Sequence, residues 1–93
     1  MLMMSVFTWE PDKRDAVIKR RAEKGMLAPA GMKVIGEWAD VSGGRVFRLS
    51  EVKDEKTAMA ATLAWDDLGR LDFATVMATD DVIKFAAGKR RTR

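Results

Sequence analysis

Five side chains in this sequence have the types and spacing for site chemistry: Trp38, Asp40, Arg45, Glu51 and Trp65. Glu51 shares strand parity with Arg45, Phe47 and Leu49, so alternation predicts that it points into an apolar layer. Burial there disfavours the charged carboxylate and raises its pKa, which makes Glu51 the candidate catalytic base. Arg45 presents the planar fork that grips a carboxylate bidentately, and Asp40 is a second candidate proton carrier. Trp38 and Trp65 supply walls for a small apolar ligand. Each residue also has a plainer role. Asp40 and Arg45 flank a hairpin, where ion pairs are usually structural. Glu51 is expected to be paired, with an arginine or with backbone N–H groups, and large aromatics most often serve as core or interface.

What is missing narrows the chemistry further. The chain has no His, Cys, Tyr, Asn or Gln. That excludes haem held by an axial histidine, zinc held by His or Cys, and triads of the Ser-His-Asp and Cys-His kinds. Without cysteine no disulfide can staple the fold. No cofactor and no metal are expected. Asp66-Asp67 with Asp72 has the charge for a hard cation, but acidic residues at a helix end are ordinarily just solvated. Gly43-Gly44 is read as a hairpin turn, because a phosphate cradle needs a helix directly after it.

The elements that must position these residues can be read from hydrophobic period. Residues 1–9 are apolar at both parities, with Met3, Phe7 and Trp9 on one and Leu2, Met4 and Val6 on the other. This stretch lacks the basic start of a signal peptide and reads as a strand covered on both faces. Pro11 suits a helix start, Val17, Ile18, Ala22 and Met26 trace one helical face, and Gly25 ends it. Met32 to Val41 and Arg45 to Val52 are two further strands joined by Ser42-Gly43-Gly44. Charge sets their register: pairing Asp40 with Arg45 also sets Trp38 opposite Phe47 and Glu37 opposite Arg48. Asp54 caps a second helix expected to run through Trp65 to Leu68, with Gly69 as its C-cap. Leu71 to Thr79 is a fourth strand. A short helix with Val82, Ile83 and Phe85 then stops at Gly88.

The order β-α-β-β-α-β predicts an α+β, ferredoxin-like domain, with both helices on one face of a four-stranded antiparallel sheet. The other face is then bare and apolar, which predicts a homodimer through the sheet faces. No linker or internal repeat divides the 93 residues, so the folded domain is expected over 1–87 with a basic, disordered tail over 88–93. The tail holds Lys89, Arg90, Arg91 and Arg93, and the net charge of +3 resides there while the rest is near neutral. Specific RNA recognition wants aromatics on a basic sheet, whereas a 89–93 tail alone binds nucleic acid only non-specifically. No stretch approaches the ~20 apolar residues of a membrane span, and a cytoplasmic location is expected.

Trp38-x-Asp40, Ser42-Gly43-Gly44-Arg45-x-Phe47, Glu51, Trp65-x-Asp67-Leu68 and Asp72-Phe73 together resemble a family of short, uncharacterised bacterial and archaeal proteins in the dimeric α/β-barrel superfamily. The resemblance covers residues 1 to about 81. It implies a ferredoxin-like monomer whose sheet packs on that of a second copy, and it brings no assigned activity. The expected function is therefore a non-catalytic module that binds a small ligand, apolar or carboxylate-bearing, or another protein. The alternative is a cofactor-independent enzyme, monooxygenase-like or isomerase-like, with a carboxylate in the cleft between sheet and helices.

Overall fold

The computed structural model describes residues 1–91, and the side chains of 1–89. Strand β1 (Leu2–Thr8) is followed by a 3₁₀ turn (Pro11–Lys13) and helix α1 (Arg14–Lys24). Strands β2 (Met32–Ala39) and β3 (Arg45–Val52) form the hairpin. Helix α2 (Glu55–Leu63), strand β4 (Arg70–Thr75) and helix α3 (Thr79–Arg91) complete the chain. The sheet order is β2-β3-β1-β4 and every pairing is antiparallel.

β1 lies inside the sheet, between β3 and β4, but only one of its two apolar faces is covered within the chain, not both as its parity predicts. Its Ser5 and Phe7 are buried against α1 and the turn after α2, where Phe7, Val17 and Trp65 form the core cluster. Pairing carries that face across the sheet to Val46, Arg48 and Ser50 on β3, Glu37 on β2, and Leu71 and Phe73 on β4. The opposite face carries Met4, Val6, Phe47, Leu49 and Trp38, and these remain partly or well exposed.

The barrel implied by the resemblance is not what the chain builds. The sheet ends in two edge strands, β2 and β4, that do not pair with each other, so it neither closes nor curls into a barrel. Two apolar parities in one strand require cover on each side, and closure is only one way to provide it.

The hairpin has the register set by its charges: Trp38 pairs with Phe47 and Glu37 with Arg48. The Asp40 N–H donates to the Arg45 carbonyl at 2.9 Å and continues the ladder. Between Val34 and Gly36 the register slips by one, with Ile35 as the extra residue, so that Met32 meets Val52.

Several boundaries differ from expectation: β2 ends at Ala39 and β4 at Thr75, short of the expected Val41 and Thr79. α2 stops at Leu63, and residues 64–68 make tight turns that deliver Trp65 into the core. Gly69 is thus no helix cap. A Cβ there would meet the Thr8 carbonyl and the Phe7 ring, so glycine permits the close passage of the chain past β1. α3 also does not stop at Gly88 but continues to Arg91, so the 88–91 part of the expected tail is helical; Thr92 and Arg93 lie outside the described residues. Among the described residues, no helix is long and apolar enough to cross a membrane.

Candidate functional site

The five residues singled out by type and spacing do not converge. Arg45 and Glu51 share the open sheet face but stand six residues apart on β3, about 20 Å at the rise of a strand. Asp40 and Arg45 close the hairpin end, with Arg45 Nε donating to Asp40 Oδ2 at 2.8 Å. Asp40 Oδ1 also accepts from the Ser42 N–H at 2.9 Å and hydroxyl at 2.8 Å. The Arg45 hydrogen bond, then those from Ser42, hold the Asp40 pKa down at about 2. Asp40 is a locked acceptor and no proton carrier near neutrality.

Glu51 is not in an apolar layer. Its side chain is 55% exposed, and Oε1 accepts from the Met1 α-amine at 2.8 Å. The expected partner was an arginine or backbone N–H groups; Glu51 pairs instead with the α-amine of Met1, at the surface. Trp38, 56% exposed, folds its indole over Gly36 on the open face. Of the five, only Trp65 is buried, at 4% exposure, and it sits on the opposite side of the sheet.

What does converge is a cleft between the sheet and α1. It encloses about 60 Å³, with walls of Phe7, Val17, Val46, Trp65 and Leu71. Ser5, Arg21, Glu37 and Arg48 are its polar lining. Arg48 donates from Nε at 2.9 Å and from Nη2 at 2.7 Å to one oxygen of Glu37, Oε2. Arg21, reaching from α1, donates from Nε to the other oxygen, Oε1, at 3.1 Å. Two guanidinium groups on one carboxylate leave a net positive charge beside an apolar hollow. Arg48 is the more enclosed of the two, its side chain 12% exposed against 44% for Arg21.

A turn fixes this arrangement. Gly25 (φ 73) and Leu27 (φ 53) take left-handed backbone after α1 and flank Met26. The Met26 carbonyl accepts from Arg48 Nη2 and from Trp65 Nε1, both at 3.3 Å. On the far side Arg20 grips Asp67 bidentately at 2.7 Å, donates to the Ala64 carbonyl at 3.0 Å, and lies 5.6 Å from the Trp65 ring centroid. The Arg20 hydrogen bond holds the Asp67 carboxyl below its ordinary pKa, so α1 is clamped to the turn after α2. Asp67 therefore faces an arginine and Asp72 pairs with Arg70. Among the described residues no acidic cluster has the arrangement to hold a metal ion.

By sequence, Glu37 and Arg48 are a cross-strand pair that sets register. A further signal lay in the parity: Arg48 alternates with Val46, Ser50 and Val52, so a charge was being sent to the core side of β3. Arg21 gave no comparable signal, because its role depends on how α1 crosses the sheet.

Comparison with known proteins corrects the family implied by the resemblance. No curated protein and no solved structure matches the chain. A family model does match, over residues 1–90, and it describes a domain of unknown function, DUF3303. Across nearly its whole length, the chain belongs to the DUF3303 family.

Proposed function

We propose that this protein is a non-catalytic module, working in the cytoplasm, that binds a small apolar ligand through its carboxylate in the cleft between the sheet and α1. One observation carries the reading: Arg48 and Arg21 share the single carboxylate of Glu37 beside the apolar walls of Phe7, Val17, Trp65 and Leu71. Glu37 keeps both guanidinium groups oriented, and the remaining donors receive the ligand carboxylate as a charge-assisted pair. The hollow takes the apolar end. At about 60 Å³ it has room for roughly four water-sized groups, so the ligand is a short one.

An enzyme with a carboxylate base in this cleft would have to use Glu37. Both of its oxygens already accept from guanidinium donors, which suits an anchor better than a base. Butyrate, titrated into the protein while the Trp65 indole N–H and Arg48 side-chain resonances are followed, tests the proposal. Saturable shifts are expected with Kd in the millimolar range, about −4 kcal/mol, and they should vanish in Arg48→Met. Equal shifts with butanol, or none with butyrate, would refute it.

A further inference from the structure

Three of the polar side chains that line the cleft, Arg21, Glu37 and Arg48, are bound to one another. The remaining one, Ser5, stands outside that ion cluster. It is 8% exposed, and among the described residues its hydroxyl makes one hydrogen bond, donating to the Arg48 carbonyl at 3.5 Å. Hydroxyl donors ordinarily sit about 2.7–2.8 Å from their acceptors, so this contact is at the outer limit. A hydroxyl buried in an otherwise apolar wall on so long a contact is short of a partner. We propose that the missing partner is a hydroxyl group of the ligand, so that the cleft takes a short hydroxy acid, its carboxylate on Arg48 and Arg21 and its hydroxyl on Ser5. This rests on the reading of the cleft as a carboxylate site and adds the second polar group of the ligand.

Sheet register sets where the second group falls. Glu37, Arg48 and Ser5 stand side by side on β2, β3 and β1, each paired with the next. Glu37 draws the Arg48 guanidinium toward β2, away from Ser5. At least one strand spacing, about 5 Å, therefore separates the guanidinium from the serine. In a 2-hydroxy acid the hydroxyl and the carboxylate sit on adjacent carbons and do not span that gap. A hydroxyl at the far end of a four-carbon chain does. The room agrees: a hollow of about 60 Å³ admits roughly four water-sized groups, and three carbons beyond the carboxylate with one oxygen fill it.

Discrimination follows from burial. A ligand methyl group against Ser5 would exclude water and leave the hydroxyl its long contact alone, a cost that a ligand hydroxyl removes. The serine oxygen can accept from the ligand O–H while its own hydrogen stays on the Arg48 carbonyl, so the strands need not rearrange. Ser50 supplies the internal comparison. It lies two residues from Arg48 along β3, is 2% exposed, and its hydroxyl has no partner among the described residues. Ser50 is not a wall of the hollow, whereas Ser5 is. Ser50→Ala is therefore the control for losing a buried hydroxyl away from the ligand.

The test titrates butyrate, pentanoate and 4-hydroxybutyrate in turn while the Trp65 indole N–H and Arg48 side-chain resonances are followed. Pentanoate matches 4-hydroxybutyrate in size and carries a methyl group in place of the hydroxyl. In the wild type, 4-hydroxybutyrate is expected to bind about 3- to 10-fold more tightly than pentanoate, the equivalent of one net hydrogen bond. Ser5→Ala should erase that ratio and leave the butyrate affinity unchanged, which also shows the cleft intact. Ser50→Ala should leave the ratio as it is. Should Ser5→Ala fail to fold, Ser5→Cys, which exchanges the hydroxyl for a weak donor of similar shape, takes its place. Butyrate binding with no preference for 4-hydroxybutyrate over pentanoate would overturn this inference while the carboxylate site stood. So would a preference that survives the Ser5 substitution or is lost in Ser50→Ala. If none of the three acids shifts either resonance, the carboxylate site and this inference fall together.

Discussion

Glu37 holds two arginines from different elements, Arg21 on α1 and Arg48 on β3, and ties the helix to the sheet at the cleft. Glu37→Gln keeps the shape but leaves two cations facing each other. It should cost about 1–3 kcal/mol, the range for losing hydrogen bonds to a charged group, and denaturant unfolding measures it. Asp40 offers a pH signature. Its folded pKa, about 2, lies below the unfolded value. The associated stability is therefore complete above about pH 4 and is lost as pH falls toward the folded pKa. Asp40→Asn should reduce the slope of the unfolding midpoint over that interval, the remainder coming from Asp54 and Asp67, whose carboxyls are also held low, and leave the profile above it unchanged in shape. A wild-type profile with no slope between those two values would show that Arg45 and Ser42 do not hold the carboxylate in solution.

Two glycines that both read as stop signals behave oppositely at the level of the element. Gly69 passes against the Thr8 carbonyl and the Phe7 ring. Gly69→Ala forces a methyl group onto backbone and should destabilise by about 1–3 kcal/mol, as overpacking does. Gly88 lies inside α3 with nothing near its Cβ position. Gly88→Ala relieves a helix of its most flexible residue and should stabilise it by about 0.5–1 kcal/mol. Circular dichroism melts of the two variants should move in opposite directions; a shared direction would contradict the placement of one of them.

For the whole molecule the governing fact is imbalance between a small buried core and large exposed apolar surfaces. Trp38, Met59, Leu63, Ile83 and Phe85 are all more than half exposed. If a second copy covers the open sheet face, folding and association are linked, and the thermal midpoint must rise with protein concentration. Calorimetry over a hundredfold concentration range is expected to show this rise for wild type.

The sequence alone determined what depends on neighbours in the chain or on periodicity. Opposite charges at Glu37 and Arg48, and at Asp40 and Arg45, specified the hairpin register, because a cross-strand pair is a local interaction. Asp54 was legible as the cap of α2, and its carboxylate accepts from the Thr57 N–H at 2.9 Å. The helical and strand periods placed the elements, with the exceptions of the early ends of α2 and β4 and the continuation of α3. Tertiary structure decided everything that needs two distant segments to meet. Glu51, apolar by parity, faces the open side of the sheet, since alternation says that two faces exist but not which one the helices cover. Arg21 reaches Glu37 only because the fold brings a side chain of α1 to one of β2. Trp38 and Trp65, alike in composition, end on opposite faces of one sheet for the same reason. Closure was beyond the sequence too: apolar residues at both parities do not say what covers each face of a strand, and only the pairing of β2 and β4 with nothing but their inner neighbours shows that the sheet stays open.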